Sequence, residues 1–323
     1  MSQRTNIIRM RGSLKNSKPW LCFTAMAANS NLRMSKIGSP DPVHLETSTD
    51  GSTWTEYTWD GNTGATITLA NIGDKVYWRA SSPNARISKG PNDTYRFFSN
   101  QNVEVSGLIG TLLSNTGIAS FNDYCFAALF KECKITTAPN LTGSAVGERP
   151  FIETFQQSLI SEILIPNIQN LPTSSAPFIR ICKGCMRLER AIIECTNINK
   201  YAYLYQAFQG CSSLNSITVR LTSWPTSSTA LGDWLDGVAE YGTFICPSAL
   251  DTSVRDSSHV PVGWTIHKRG YFNSADGIFY NDENFTSPAV VVESLSNDEY
   301  YIDIPTGYAY AYNGTSMEKV SLE

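Results

Sequence analysis

The sequence has few charged residues and few histidines. Charged residues make up 17% of its 323 residues, against about 25% in typical soluble domains. The three histidines, His44, His259 and His267, have no serine or cysteine beside them in a known local catalytic signature. A phosphate-binding loop, a dinucleotide fingerprint and a His-Glu-x-x-His motif are also missing. We therefore expect a protein that is not an enzyme and that needs no cofactor.

Long apolar runs are missing as well. No stretch approaches the ~18 consecutive apolar residues of a membrane-spanning helix. The first 20 residues lack the apolar core and the small-residue cleavage site of a secretory signal peptide. We expect neither membrane insertion nor export by that route. Without export, the eight cysteines favour buried free thiols over disulfides.

Charge is distributed unevenly along the chain. The net charge of −4 predicts no broad nucleic-acid-binding face. Residues 1–40 carry seven basic residues and no acidic one, so a basic N-terminal arm over residues 1–19 is predicted to anchor the chain on an acidic partner surface. The alternatives are a solvated terminus, or an arm that folds back on its own domain while the C-terminal module docks. The anchor candidates are Arg4, Arg9, Arg11, Lys15 and Lys18.

Four eight-residue segments recur at intervals of 25, 27 and 26 residues. They are FAALFKEC from Phe126, FIETFQQS from Phe151, FIRICKGC from Phe178 and LYQAFQGC from Leu204. Positions one, four, five and eight are mostly apolar or small, which is the spacing of one face of a short helix. The predicted repeat core is Phe126, Phe130, Cys133, Phe151, Phe155, Phe178, Cys182, Cys185, Phe208 and Cys211.

A β-favouring stretch follows each segment: KITTAP, EILIP, RAIIE and NSITV. A helix plus a strand every ~26 residues falls within the range of leucine-rich repeats, which bury their apolar faces by stacking. The sequence therefore predicts an α+β fold with a short helix and a strand in each repeat.

Cys182 and Cys185 form a Cys-x-x-Cys pair, which could mark half of a zinc site or a redox pair. Cys185 holds the same repeat position as Cys133 and Cys211, and no second pair completes a zinc tetrad. We interpret both cysteines as core residues and expect no metal.

Several runs carry a resemblance to a known family. The run AFQGCSSLNSI is similar to one repeat unit, FKECKITTAPNL to a second variant, and WLDGVAEYGTFICP with VPVGWTIHK to a C-terminal cap. The upstream runs LCFTAM, GSPDPVHLETSTDGSTWTEYTW and ITLANIGDKVYWRA are similar to a β-domain that precedes such repeats. Together they resemble the BspA-like leucine-rich repeat proteins of Bacteroides-type bacteria and their phages. The resemblance implies a scaffold rather than an activity.

Turn signals divide the region before the repeats into strands. Asp50-Gly51 predicts a hairpin turn between two alternating runs. The residues Asn71 to Asp74 predict another hairpin, which would join strands around Ile67–Leu69 and Val76–Trp78.

The C-terminal 56 residues lose the repeat pattern. They predict strands at Tyr300–Ile304, Tyr308–Tyr312 and Met317–Leu322, separated by turns at Pro305-Thr306-Gly307 and Asn313-Gly314. The segment resembles a small β-module of phage tail and fibre proteins. The residues that carry the likeness are Phe279, Tyr280, Asp282, Phe285, Tyr301, Asp303, Thr306, Gly307, Tyr310, Tyr312, Asn313 and Gly314.

Three further groups are candidates for ligand binding. Trp54, Tyr57 and Trp59 stand in one run and could stack on a sugar or a partner, although core packing is the simpler reading. The acidic residues Asp233, Asp236 and Glu240 could serve a glycosidase, but their spacing favours a solvated helix face. An acidic loop lacks the spacing of a known calcium site; its members are Asp276, Asn281, Asp282 and Glu283.

The predicted organisation has four parts: a basic arm (1–19), a β-sandwich-like domain (20–100), leucine-rich repeats with a cap (101–267) and a phage-type β-module (268–323). We expect a phage virion protein of the head-fibre, decoration or tail-fibre type, assembled in the host cytoplasm. Its expected partners are other virion proteins, a host surface glycan or protein, and further copies of itself, with a trimer favoured by analogy. The alternatives are a secreted BspA-like bacterial adhesin and a tail-associated polysaccharide-degrading enzyme.

Overall fold

The computed structural model describes residues 19–116, 120–145, 147–168, 170–172, 174–196, 198, 202–247 and 249–273, and the strands at 278–280, 300–303, 308–312 and 317–320. No α-helix occurs in these residues, and the one helical element is a 3-10 turn at Ile109–Leu112. The α+β prediction is therefore wrong: the protein is nearly all β, with two sheets followed by a β-solenoid.

The strands in chain order are β1 (Leu21–Ala25), β2 (Ser30–Ile37), β3 (Leu45–Ser48), β4 (Thr55–Glu56), β5 (Trp59–Asp60), β6 (Thr63–Gly64), β7 (Ile67–Leu69), β8 (Lys75–Ala80), β9 (Ser88–Gly90), β10 (Asp93–Ser99), β11 (Val103–Ser106), β12 (Ser120–Phe121), β13 (Ser144–Ala145), β14 (Glu162–Ile165), β15 (Arg190–Ile193), β16 (Ser216–Val219), β17 (Thr243–Pro247), β18 (Thr265–Asn273), β19 (Ile278–Tyr280), β20 (Tyr300–Asp303), β21 (Tyr308–Tyr312) and β22 (Met317–Val320).

The first eleven strands form two antiparallel sheets that pack face to face. Their orders are β11-β1-β8-β3-β4 and β5-β6-β2-β10-β9, with β7 added beside β2. Alternate residues point inward, so Phe23 of one sheet meets Phe97 of the other at 4.7 Å between ring centroids. Trp78 packs edge-on against Phe97 at 5.0 Å. These aromatic rings fill the space between the sheets.

The two predicted turns in this region differ in what they join. Asp50-Gly51 lies between β3 and β4, which pair antiparallel, so that hairpin is confirmed. The turn from Asn71 to Asp74 instead joins β7, which pairs with β2, to β8, which pairs with β1 and β3. That hairpin prediction is wrong because the chain crosses from one sheet to the other. The alternating sequence pattern predicts the two strands, but it is the same for a hairpin within one sheet and for a crossover between two sheets.

Parallel strands form one wall of the solenoid. β14, β15, β16, β17 and β18 follow one another in register without a shift. Beyond β17, β18 pairs with β20, and β20, β21 and β22 continue as an antiparallel meander. The buried inward side chains of the wall are Ile163, Ile165, Ala191, Ile193, Ile217, Val219, Phe244 and Cys246.

The opposite wall is a ladder of turns, in the place where helices were predicted. Within the first unit, the N–H groups of Leu129, Lys131 and Cys133 donate to carbonyls three residues earlier. The alternate N–H groups, such as those of Ala128 and Phe130, donate to the next unit, at 3.0 Å to Ile152 O and 2.8 Å to Thr154 O. An α-helix would keep these bonds within one segment. The lateral bonds make successive units interdependent.

A left-handed residue recurs every fourth position along each turn run. Glu132, Gln157, Gly184, Gly210 and Gly237 occupy the same position in successive units and all have positive φ. Such a residue interrupts an α-helix, so the run repeats every four residues instead of every 3.6. The glycine in three of these units is the sequence signal for this conformation.

A fifth turn run extends the array beyond the predicted repeats. It includes Leu231 and overlaps the segment from Trp234 that the resemblance assigned to a cap. Asp233 and Gly237 supply its left-handed residues. The fourth unit donates to it, with Phe208 N–H at 3.0 Å from Trp234 O. Trp234, fully buried, therefore continues the inward column.

Both ends of the turn ladder are capped. At the start, Phe97 N–H bonds Leu129 O at 2.9 Å, and the buried hydroxyls of Ser88 and Thr94 both donate to Ala127 O, at 2.9 and 2.8 Å. The sandwich thus satisfies carbonyls that have no preceding unit. At the other end, residues 257–258 accept from the fifth run.

We predict that Phe130→Ala lowers the free energy of unfolding by about 3–5 kcal/mol, as for other fully buried phenylalanines. Phe130 is stacked between Phe97 and Phe155, at 5.3 and 5.4 Å between centroids. Chemical denaturation measures the change. The control Met186→Ala, at a side chain that is 57% exposed, should change stability by less than about 0.5 kcal/mol. Equal effects of the two variants would contradict this packing.

We also predict that Thr94→Val destabilises the protein by about 0.5–1.5 kcal/mol, because the buried carbonyl of Ala127 loses one of its two hydroxyl donors and keeps the other, Ser88. The matched control is Thr68→Val, which removes an exposed hydroxyl bonded to Asn31 Oδ1 at 2.8 Å. Thermal unfolding of both variants makes the comparison. If Thr94→Val and the control unfold at the same temperature, the capping hydroxyl has no role in stability.

Candidate partner-binding surface

The outer side of the solenoid strands presents two rows of side chains to solvent. We call this surface the sheet face. In β14, residues Ile163 and Ile165 point inward, so Glu162 and Leu164 point outward, and the same alternation continues through β17. The strand registers align the rows, which are Glu162, Arg190, Ser216, Thr243 and Thr265, and Leu164, Ile192, Thr218, Ile245 and His267.

The second row is largely apolar although it faces outward. Leu164, Ile192 and Ile245 are each partly exposed, and Thr218 between them is only 6% exposed. Aliphatic side chains on an outer face gain nothing from the core behind the sheet. Partly exposed aliphatic side chains grouped on one outer face are a feature of surfaces that meet another molecule.

Ion pairs border this apolar row on both sides. Arg190 lies 3.8 Å from Glu162 on the neighbouring strand, and Arg220 lies 3.6 Å from Glu194. All four side chains are 22–31% exposed, so these pairs add little to stability. Charges at the edge of a binding surface generally contribute to specificity more than to affinity.

The sheet face continues toward the sandwich. β11 meets the first repeat through bridges from Val103 to Ile135 and from Leu108 to Asn140, and Ser161 N–H then bonds Thr136 O at 3.1 Å. Backbone pairing therefore joins the sandwich to the strand side of the solenoid.

An aromatic cluster lies on the outer surface of the sandwich. The Arg79 guanidinium sits 3.9 Å from the ring centre of Trp54 and 5.5 Å from that of Trp20. Glu46, opposite Arg79 in the sheet, accepts from its Nε at 2.5 Å. The carboxylate holds the arginine in place, and both ring distances lie within the ~6 Å of a cation–π contact.

The three predicted aromatic binding residues separate in the structure. Trp54 belongs to this outer cluster, whereas Tyr57 is buried and its hydroxyl donates to Ala65 O at 2.8 Å. Trp59 is half-buried between Tyr57 and Tyr95. Trp54 and Trp59 are both partly exposed, but Trp59 packs against the sandwich core and Trp54 against Arg79 and Trp20.

The predicted repeat-core residues all lie inside the solenoid. Each is at most 1% exposed. Phenylalanine rings stack along the axis, with Phe126, Phe151 and Phe178 spaced 5.6 Å apart. The structure thus brings this set together as a packing column, although on turns instead of helices.

All eight cysteines are buried, and none of them is in a disulfide. Cys185 Sγ donates to Phe155 O at 2.9 Å and Cys211 Sγ to Cys182 O at 3.0 Å. Burial raises the pKa of Cys133 and of Cys195 to about 12, and raises those of Cys182 and Cys211 well above their ordinary value. These four thiols are therefore poor nucleophiles.

The remaining candidate side chains do not converge. His44 is exposed beside β3, His267 ends the outer row of the sheet face, and His259 Nδ1 lies 2.9 Å from Asp256 Oδ1 in the C-terminal cap. In that cap Trp264 Nε1 donates to Ala239 O at 2.8 Å. Asp236 accepts from Gln209 at 2.9 Å on the turn face. The side chains of His259, Trp264 and Asp236 are thus hydrogen-bonded to nearby residues.

A shallow cleft of about 280 Å³ lies where the sandwich meets the first repeat. Asp41 on its wall pairs with Lys89 and Arg86, at 2.7 and 2.8 Å, and their hydrogen bonds lower the pKa of this carboxyl. Asp123 accepts from Glu148 N–H at 2.7 Å. The charged groups of the cleft are already paired within the chain.

Several predicted sites lie outside the described residues. These are the five basic anchor residues of the arm, the acidic loop around residues 276–283 and the two C-terminal turns. Within the described ranges, no cluster of three or more histidine, cysteine, aspartate or glutamate side chains is arranged to hold a metal ion. In the same ranges no helix is long and apolar enough to cross a membrane.

Comparisons of the chain with protein-family models, with curated proteins and with solved structures found no match.

We predict that stability falls as the pH rises from about 8 to about 11. The ordinary thiol pKa is 9.0 and the folded pKa of Cys133 is about 12, so in this window a thiol ionises only in the unfolded chain. Each such thiol then removes roughly 1.4 kcal/mol per pH unit above its unfolded pKa. Cys133→Ser should retain about 2–3 kcal/mol more of its pH 8 stability at about pH 11. Identical pH profiles of the two proteins, measured by denaturation, would contradict the assigned burial.

Proposed function

We propose that this chain is a structural and adhesive protein of a bacteriophage virion, of the head-fibre, decoration or tail-fibre type. The observation that carries the proposal is the continuous sheet β14-β15-β16-β17-β18-β20-β21-β22. The first repeat links this sheet to the sandwich through backbone bridges and hydrogen bonds. Such a β-solenoid is consistent with a fibre-like repeat architecture. A stacked array of this kind resists bending because each unit is bonded to its neighbours.

The phage assignment draws on the C-terminal segment. Its strands pair as a meander, with Tyr301 opposite Tyr310 and Tyr312 opposite Met317. This arrangement agrees with the hairpins expected from the resemblance to phage tail and fibre modules. The resemblance to BspA-like repeats supports an adhesive scaffold that either a phage or a bacterial surface protein would use.

The proposed partners follow from the exposed surfaces. The sheet face, with its apolar row and bordering ion pairs, suits a protein partner. Trp54 beside Arg79 offers the sandwich a contact for a glycan or a protein. The basic arm is proposed as the anchor to other virion proteins on the basis of its composition alone.

The proposal predicts that the chain is a stoichiometric component of virus particles. Virus particles whose genome encodes the chain would be purified on a density gradient and stained with gold-labelled antibody raised against the purified protein. We expect gold at one defined location on the particle, and co-purification of the chain through a high-salt wash. A chain found in the bacterial envelope, with no particle labelled, would contradict a virion role and favour the adhesin alternative.

A matched assay separates binding from degradation. Purified protein would be incubated with host capsular polysaccharide, whose chain length is then measured by size-exclusion chromatography. We expect the polysaccharide to keep its length. Shortened chains would overturn the assignment and favour the depolymerase alternative.

A further inference from the structure

The apolar row of the sheet face has nearly the same pattern in both directions along the solenoid. Its apolar row runs Leu164, Ile192, Thr218 and Ile245 on four successive strands. Reversing the order sets Leu164 opposite Ile245 and Ile192 opposite Thr218. An apolar or small residue therefore meets another along the whole row.

The bordering charges are complementary under the same reversal. Glu194 follows β15 and Arg220 follows β16, and they lie side by side at 3.6 Å. A two-fold axis between these strands would set Glu194 of one copy opposite Arg220 of a second copy, and the reverse. The other border is compatible too: Arg190 would meet Ser216, and Glu162 would meet Thr243. No like charges oppose each other.

We infer that the sheet face binds a second copy of this chain, so that two solenoid sheets pack face to face around a two-fold axis. A patch that meets itself is the defining feature of an isologous interface. Face-to-face packing at about 10 Å is also the ordinary way in which two sheets cover their apolar sides. The inference stands apart from the proposed function, since it rests on the described strands alone.

The contact is expected to be weak. Four strands about 4.8 Å apart and five residues of about 3.3 Å each define a face of roughly 300 Å² per copy. Stable complexes bury about 800 Å² per partner. Self-association is therefore expected at high concentration, or between copies that an assembly already holds close together.

A charge-swap experiment tests the two-fold contact on the full chain. Sedimentation velocity over about 1 µM to 1 mM should show the parent in a monomer–dimer equilibrium. Glu194→Arg would place two basic residues opposite each other, and Arg220→Glu two acidic ones. Each variant alone should dimerise about tenfold more weakly than the parent, since opposed like charges cost at least 1.4 kcal/mol.

A mixture of the two variants tests whether restored charge pairing restores dimerisation. In a mixed dimer both contacts again pair opposite charges, so the affinity should return to within about threefold of the parent. No recovery in the mixture would overturn the two-fold arrangement. A trimeric mass for the parent, or a monomer at every concentration, would overturn it as well.

A substitution in the apolar row provides an independent readout. Ile192→Glu should abolish dimerisation, whereas the matched control Ile72→Glu, at a side chain 71% exposed on the sandwich, should leave it unchanged. Thermal unfolding of both variants verifies that they are folded. If folded Ile192→Glu dimerises as the parent does, the sheet face is not the interface.

Discussion

The lateral hydrogen bonds between turn runs are the interaction on which the rest of this structure depends. Half of the N–H groups in each run, such as those of Phe155 and Cys182, bond to the next unit instead of their own. A single unit would leave those groups unsatisfied, which is costly when they are buried. The array can therefore exist only as a stack, and the stack needs partners at both ends.

The two ends explain the modules around the repeats. The sandwich supplies Ser88, Thr94 and Phe97 N–H to the carbonyls of the first run, and Phe97 also begins the ring stack that Phe130 continues. At the far end Trp234 and Trp264 close the core. The hydrophobic core runs without interruption from Leu21 to Trp264. Sandwich and solenoid consequently share one core.

Much of the packing could be predicted from the sequence, because the inward residues obey a simple spacing. Over eight residues, a helix of 3.6 residues per turn and a turn run that repeats every four residues point the same side chains inward. Phe126, Phe130 and Cys133 were therefore correctly placed together. The backbone could not be assigned by that spacing. Gly184, Gly210 and Gly237 recur at one position of the repeat. Their recurrence was the sequence signal that an α-helix does not continue there. The outer row of Leu164, Ile192 and Ile245 was not predicted. A strand buried on both faces and a strand with an apolar outer face have the same continuous apolar sequence.

The central claim is the bonding pattern of the turn ladder. Scalar couplings across hydrogen bonds, measured by NMR on a deuterated sample, report which carbonyl each amide bonds. This account predicts a coupling between Phe130 N and the carbonyl carbon of Thr154, and one between Ala128 N and that of Ile152. A coupling from Phe130 N to the carbonyl carbon of Phe126, the partner an α-helix would give it, would contradict the account.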